Sequence, residues 1–474
     1  MGFNHLYGFS ISEYRNIYDL AKDEMVDIYV DSIYSAYFEG KNDIALDLSY
    51  VQFHAKDDVA GIAFSGSVFS NGIIDISYSC INDLDLCFSR CVFNQTDIKF
   101  THTIFGNQDL LFLNAKLGNT DISFDYSIFG RGEISFFESE GLNGTVQFTY
   151  VQFDKRNIDF TYMKNPHGQF VFVKNELLDS PVDFANSFVD LIVMYYTNIN
   201  IKIDLSVATA NYITVQDCVN RDCILIGNSG YKNITYICLK DTINLGRIDI
   251  LNKFCHKLFS KQKQFMIEDN LKQTLFNTSY LDKSKQLIMI KENFRSMGDY
   301  DNEDYAYLLS KRYENLSRIQ ERLISFRSIN ITFKKLSIQY IYHTLMVALR
   351  LIVESALFVI ELVFLDFLCG NYATKPFRFI LSMIILILGF GAVYYGISES
   401  AGLYNSFYFD SELLFNSNSL AISMYLSIVS FFQLNIIDVT PLLNSLQILN
   451  MCERMLGLTM FALFTVSFTR KVIK

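Results

Sequence analysis

From Ile62 the apolar and polar positions of the chain repeat every twelve residues. In that frame the units read IAFSGSVFSNGI, IDISYSCINDLD, LCFSRCVFNQTD, IKFTHTIFGNQD, LLFLNAKLGNTD, ISFDYSIFGRGE, ISFFESEGLNGT, VQFTYVQFDKRN, IDFTYMKNPHGQ and FVFVKNELLDSP. The third column is Phe64, Ile76, Phe88, Phe100, Phe112, Phe124, Phe136, Phe148, Phe160 and Phe172, and Phe184 begins another unit. The first column is always apolar, the sixth mostly small (Ser79, Cys91, Thr103, Ala115, Ser127) and the eighth usually large (Phe93, Phe105, Phe129, Phe153). Inward positions at 1, 3, 6 and 8 predict two short strands separated by a corner. The last four columns, rich in Gly, Asn, Asp and Gln, predict tight turns. Such persistence is the mark of a β-solenoid in which each unit stacks on the previous one and like residues form ladders. The pattern loosens after Leu191, but NINIKIDLS and NYITVQDCVNRDCILIGN still read as strands to about Ile250. The solenoid is therefore expected over 44–250, behind an N-terminal cap of 1–43.

Beyond residue 250 the period becomes helical. Residues 251–335 predict a helical hairpin linker, with Gly298 breaking it and Asp299 or Asp301 capping the second helix. In 336–375, His343, Arg350, Glu354 and Glu361 fall seven, four and seven residues apart, which makes one narrow polar stripe. Lys334 and Lys335 precede the stripe and Lys375 and Arg378 follow it. Cations on both flanks suit a helix lying along the membrane face, with a third span as the alternative.

Two later segments, 379–397 and 446–469, are long and apolar enough to cross a bilayer. The stretch between them carries Glu399, Asp410, Glu412 and Asp438 and no Lys or Arg, whereas cations flank the outer ends. That bias places both termini and the solenoid in the cytoplasm. Residues 420–440 are apolar at first but too short to span, which predicts a re-entrant segment inside a pore domain of 376–474.

Charge and motifs narrow the functional classes. Fifty acids against forty bases give a net charge of −10 with no basic block, which argues against nucleic-acid binding. Nine scattered cysteines and the lack of a cationic–apolar–cleavage pattern at the start point to the reduced cytosol for most of the chain. Cys80, Cys87, Cys91 and His102 could form a metal site, but Cys91 occupies the small inward column, where thiols pack as core. Asp83, Asp85, Asp97, Asp109 and Asp121 read as a solvated edge, since the calcium-roll nonapeptide is absent. No hydrolase elbow, P-loop, dinucleotide fingerprint or zincin motif occurs, so neither catalysis, cofactor nor metal is expected.

Units such as VQFTYVQF resemble the DFSGATF-type repeats of pentapeptide-repeat proteins, over about residues 44–190. The resemblance implies a right-handed β-helix. Tyr425 to Pro441 resembles the pore signature of bacterial two-span potassium-channel-like proteins, through Tyr425, Ser427, Val429, Ser430, Phe431, Leu434, Asp438 and Pro441. CERMLGLTMFALFTVSFTRK resembles that family's inner helix, with Glu453 behind the pore and Gly457 as a hinge. CGNYATKPFRF and IKENFRSMGDYDNEDYAY resemble the family's flanking runs. The resemblance implies a prokaryotic pentapeptide-repeat protein with a C-terminal pore domain, multi-pass in the plasma membrane and tetrameric. Its filter would be Gln433, Leu434, Asn435, Ile436, Ile437 and Asp438, supported by Tyr425, Ser430 and Glu453.

The filter departs from the family. Where T-L-G-Y-G is the pattern, Gln433 to Ile437 has no glycine, and a β-branched Ile437 resists the positive φ that inward carbonyls need. Three functions stay open: a weakly selective pore for monovalent cations, a poorly conducting anchor or sensor, and potassium selectivity through an unusual filter. Asp438 either attracts ions or braces the loop. Glu453 either lies on the ion path or pairs with Arg454 or a backbone N–H. The solenoid is expected to gate, sense or assemble through a cytoplasmic partner. The competing class is a membrane-anchored scaffold. Membrane lipid and copies of the same chain are the remaining expected partners.

Overall fold

The computed structural model describes residues 21, 23–30, 33–35, 37, 46–55, 61–82, 84–178, 180–226, 234–250, 279–327, 376–402, 407–409, 418–434 and 439–473, with isolated helical positions between 345 and 359. The interfacial helix expected over 336–375 otherwise lies outside these residues, as do most of the N-terminal cap and 251–278. The chain divides into two compact units, Met1–Asn293 and Phe294–Lys474.

The first unit is a β-solenoid with three parallel sheets of ten, nine and ten strands. A fourth, narrower side is held by short pairings and the bridges Val92↔Lys116, Lys116↔Glu140 and Glu140↔Lys164. The stacking interval is not the expected twelve. Ile98 pairs with Ile122, Ile122 with Val146 and Val146 with Phe170, so each coil takes twenty-four residues and two sequence units. One unit contributes two successive sides, which is half of a four-sided coil. Its stacking partner is the unit after next. After Leu191 the interval falls to twenty-one, as in Ile192↔Ile213 and Ile203↔Ile224, and returns to twenty-four at Ile213↔Ile237. Those shortened coils are why the sequence repeat fades while the solenoid continues to its last strand, Arg247–Ile250.

The phenylalanine column thus splits into two stacks on different sides. Phe64, Phe88, Phe112, Phe136, Phe160 and Phe184 form one, and Phe100, Phe124, Phe148 and Phe172 the other. Neighbouring ring centroids lie 4.5 to 5.3 Å apart, which is the strand spacing passed on to the side chains. Each stacked pair adds about 0.5–1.5 kcal/mol beyond its burial.

The sixth column is small for a hydrogen-bonding reason. Thr103 Oγ1 donates to the Ile76 carbonyl at 2.8 Å, Cys91 Sγ to that of Phe64 at 2.9 Å, and Ser127 Oγ to that of Phe100. Each hydroxyl or thiol satisfies a carbonyl of the coil below at a corner where the sheet ladder is interrupted. The eleventh column, expected in a turn, is also inward: Leu84, Thr96, Thr120, Arg156 and Ser180 are buried. The strand Thr96–Lys99 shows why, because Thr96, Ile98 and Phe100 alternate on its inner face.

The fifth column takes a left-handed backbone, after Gly66 without glycine: Tyr78, His102, Tyr126 and Tyr150 have φ between 56° and 59°, as does Tyr50 ahead of the repeat at 55°. Such residues cost roughly 1–2 kcal/mol each. Here they stack along one outer corner, 4.7 to 4.9 Å between centroids, which offsets part of that cost.

Helix α1, Tyr280–Ser296, seals the last coil. Gln286 Oε1 accepts the Leu239 N–H at 2.8 Å, and Asn293 both accepts the Ile248 N–H at 2.8 Å and donates to its carbonyl at 2.6 Å.

The second unit contains three long helices, one short helix and one short two-stranded sheet among its described residues. Helix α2, Tyr300–Arg327, is capped by Asp299, the first of the two expected candidates, through the Asn302 N–H, and its first turn carries Asp301 and Glu303. Helix α3 is Pro376–Ala401, α4 Ser419–Phe431 and α5 Asn444–Ile473. Phe377–Ala401 and Asn444–Thr469 are long and apolar enough to cross a membrane. Strand Phe407–Phe409 pairs antiparallel with Val439–Pro441, which ties the chain before α4 to the chain after it.

Candidate functional site

The three apolar helices of the second unit build the site. At thirteen residues α4 is roughly 20 Å long, short of a bilayer core. Its Ile422 and Leu426 pack with Tyr394 of α3 and Leu446 of α5, whereas its last residue, Phe431, packs with Phe379, Met383 and Ile387 of α3 and Met460 of α5. Helix α4 is thus antiparallel to α3 and parallel to α5. It ends beside the first half of α3 and the middle of α5, and the chain then returns to the first turn of α5.

Glycine sets the closest approaches. A Cβ on Gly457 would overlap the Phe431 carbonyl, and one on Gly391 would overlap the Met424 side chain. Gly457, expected as a hinge, is therefore where the end of α4 rests on α5.

Glu453 is fully buried at the junction of all three helices. Tyr394 OH donates to its Oε2 at 2.6 Å, and Ser427 Oγ lies 2.5 Å from its Oε1 and 2.8 Å from the Ile387 carbonyl oxygen. Both carboxylate oxygens are therefore occupied, by a tyrosine and a serine from the other two helices rather than by Arg454 or a backbone N–H. Tyr425 packs in the Tyr394 cluster. Ser430 is fully buried, and its hydroxyl has no hydrogen-bond partner among the described residues.

The end of α4 is a Schellman turn. The Gln433 N–H bonds to the Ser430 carbonyl at 3.2 Å and the Leu434 N–H to that of Val429 at 2.9 Å. Gln433 has φ of 52°, the backbone state that glycine usually supplies in this motif, and its Nε2 donates to the Arg454 carbonyl at 3.1 Å. Gln433 and Leu434 are exposed. The other expected filter residues, Asn435, Ile436, Ile437 and Asp438, lie outside the described residues.

The constellations of the solenoid have structural partners. Burial pushes the Cys91 thiol up to about 12, and Cys87 Sγ lies 3.1 Å from Ser89 Oγ. His102 sits in the aromatic stack between Tyr78 and Tyr126. The turn acids are rungs between coils: Asp85 accepts the Asp109 N–H at 2.9 Å, Asp109 that of Glu133 at 2.8 Å, and Asp121 that of Thr145 at 2.8 Å. Asp97 similarly accepts the Asp121 N–H, and Asp83 lies outside the described residues.

Sequence reasoning missed Tyr394 and Gly391, and it named Ser427 among the matches to the pore signature without giving it a role. Ser427 stands out as polar in an apolar run, whereas nothing in α3 singles out Tyr394. No protein-family model, curated protein or solved structure matches the chain.

Proposed function

We propose that the chain is the subunit of a homo-oligomeric ion channel, a tetramer in the plasma membrane of a prokaryote. Monovalent cations pass weakly selected through a lumen lined by a re-entrant segment and α5. The observation that carries this reading is α4: an apolar helix too short to span, ending between two span-length helices short of their far ends, with the chain turning back. A short helix aimed into the bilayer core needs cover from protein or water at its end, and a pore supplies both. The buried Glu453–Tyr394–Ser427 junction supports it by holding α4 at a fixed depth. In this reading both termini and the solenoid are cytoplasmic, and the solenoid is a gating, sensing or assembly module.

Full-length protein in planar bilayers, under opposed KCl and NaCl gradients, tests it. The expected result is a reversal potential on the cation side with a low K⁺/Na⁺ ratio. Silence in the native chain and in an Asn435→Gly, Ile437→Gly variant overturns it. That outcome favours the second reading, a membrane-anchored scaffold, to which the glycine-free run Gln433 to Ile437 points.

A further inference from the structure

Arg454 is the only Lys or Arg between Asn444 and Thr469. It lies ten residues from the first and fifteen from the second, roughly 15 and 22 Å along the helix, beyond what its side chain can cover by reaching for a headgroup. It is exposed in the folded subunit. A guanidinium facing hydrocarbon at this depth costs about 2.5–3.5 kcal/mol, so in the assembled protein it needs a carboxylate or water.

Among the described residues, neither Glu453 nor Glu399 forms an ion pair with Arg454. Glu453 is sealed by Tyr394 and Ser427, and Glu399 sits near the end of α3 beside Ala401. No ion pair to Arg454 occurs among the described residues, which is compatible with water as its partner. The faces of α5 point the same way. Leu446, Asn450, Glu453, Gly457 and Met460 are buried on one face, and the exposed Ile448, Met455 and Val466 suit lipid on the opposite one. Gln447, Arg454 and Thr465, seven and eleven residues apart, share a third, exposed flank, with the exposed Leu458 and Phe461 on either side of it. Gln433, at the end of α4, is bonded to the backbone of α5 at this same level.

We infer that Arg454 lines a water-filled lumen between copies of the chain and holds a small inorganic anion there, which keeps the cation preference of the pore low. The inference rests on the pore reading above. The planar fork of N–H donors binds an anion, and several copies around one axis make a ring of positive charge, the arrangement that favours anions in a channel.

Two measurements on the full-length chain separate this inference from the pore reading. In liposomes, position 454 is labelled with a charged, membrane-impermeant thiol reagent in an Arg454→Cys, Cys452→Ser variant, with Met455→Cys, Cys452→Ser as the lipid-facing control. Mass spectrometry of the α5 peptide reads the label. Labelling at 454 is expected to be about tenfold faster than at 455; equal rates overturn the inference. In planar bilayers under a KCl gradient, Arg454→Gln is expected to lower the chloride-to-potassium permeability ratio by roughly tenfold, while Arg454→Lys keeps it. Current with an unchanged ratio overturns the inference and leaves the pore reading standing. Silence in every variant with fast labelling at 454 overturns conduction and supports the lumen placement. Silence with slow labelling overturns both.

Discussion

Arg156 is fully buried, and its guanidinium donates to five backbone carbonyls: Gly106, Gln108, Gly130, Arg131 and Glu133, at 2.6 to 3.2 Å. It lies over the Phe129 ring, 5.1 Å from its centroid. Burial pulls its pKa down to about 10, with Asp109 opposing the shift. Four of these carbonyls lie between strands and the fifth, of Glu133, in the strand Gly132–Ser135, so the side chain is the staple of two coils. Arg156→Met, which keeps the bulk and removes every donor, is expected to destabilise the solenoid by about 3 kcal/mol. Thermal unfolding followed by far-ultraviolet circular dichroism checks it. The same inward column holds Thr120, whose hydroxyl is buried with no hydrogen-bond partner among the described residues. Thr120→Val keeps the shape and is expected to stabilise by about 1 kcal/mol in the same assay. Neither residue was legible as core in the sequence. A lone Arg beside Lys155 and Asn157 looks like a solvated turn, and only the outline of the coil turns it inward.

Stacking of elements carries the next expectation. Asp159, Asp183 and Asp204 occupy successive strands of one sheet and pair directly in register. The Asp183 carboxyl is raised above its usual range, chiefly by burial, with Asp204 and Asp159 adding to it, although the Ala185 N–H opposes. Glu133 is likewise raised by burial, then by Asp159 and Asp109. A carboxyl raised in the fold weakens the folded state while it is charged. That penalty is relieved as pH falls from neutrality through the raised value towards the ordinary carboxylate range near 4. The solenoid is therefore expected to gain stability over this window. Asp183→Asn should flatten the gain and raise stability at pH 7 by about 0.5 kcal/mol. Urea midpoints from pH 7 to 5 check it; an unchanged slope in the variant would sink the idea. Spacing made the strands and inward columns plain, but not which strands touch. Under twelve-residue stacking Asp159 and Asp183 are two layers apart, whereas at twenty-four they are neighbours. The pairing of Phe407–Phe409 with Val439–Pro441 was similarly hidden, because three-residue strands leave no periodic trace.

At the scale of the whole chain, the repeat, the return of helical periodicity and the two apolar spans all show in one dimension, because each is a local pattern. The site does not, because Glu453 meets Tyr394 and Ser427 across fifty-nine and twenty-six residues. The end of the solenoid has the same character. A parallel stack presents open edges at its last coil, ready to pair with another chain. Here Gln286 and Asn293 of α1 occupy the Leu239 and Ile248 backbone groups, and Lys240 pairs with Asp282 at 3.7 Å. Helix α1 is thus part of the solenoid as well as the start of the helical region, and a cut at the last strand removes its seal. A fragment ending at Ser296 is expected to be monomeric. One ending at Ile250 is expected to self-associate through the uncovered coil and to melt at lower temperature. In the Ser296 fragment, Asn293→Ala, which loses both bonds to Ile248, should cost about 2 kcal/mol. Light scattering coupled to size exclusion reads the association and thermal unfolding the stability. Two fragments with equal mass and equal melting temperature would remove α1 as the seal and leave it a linker alone.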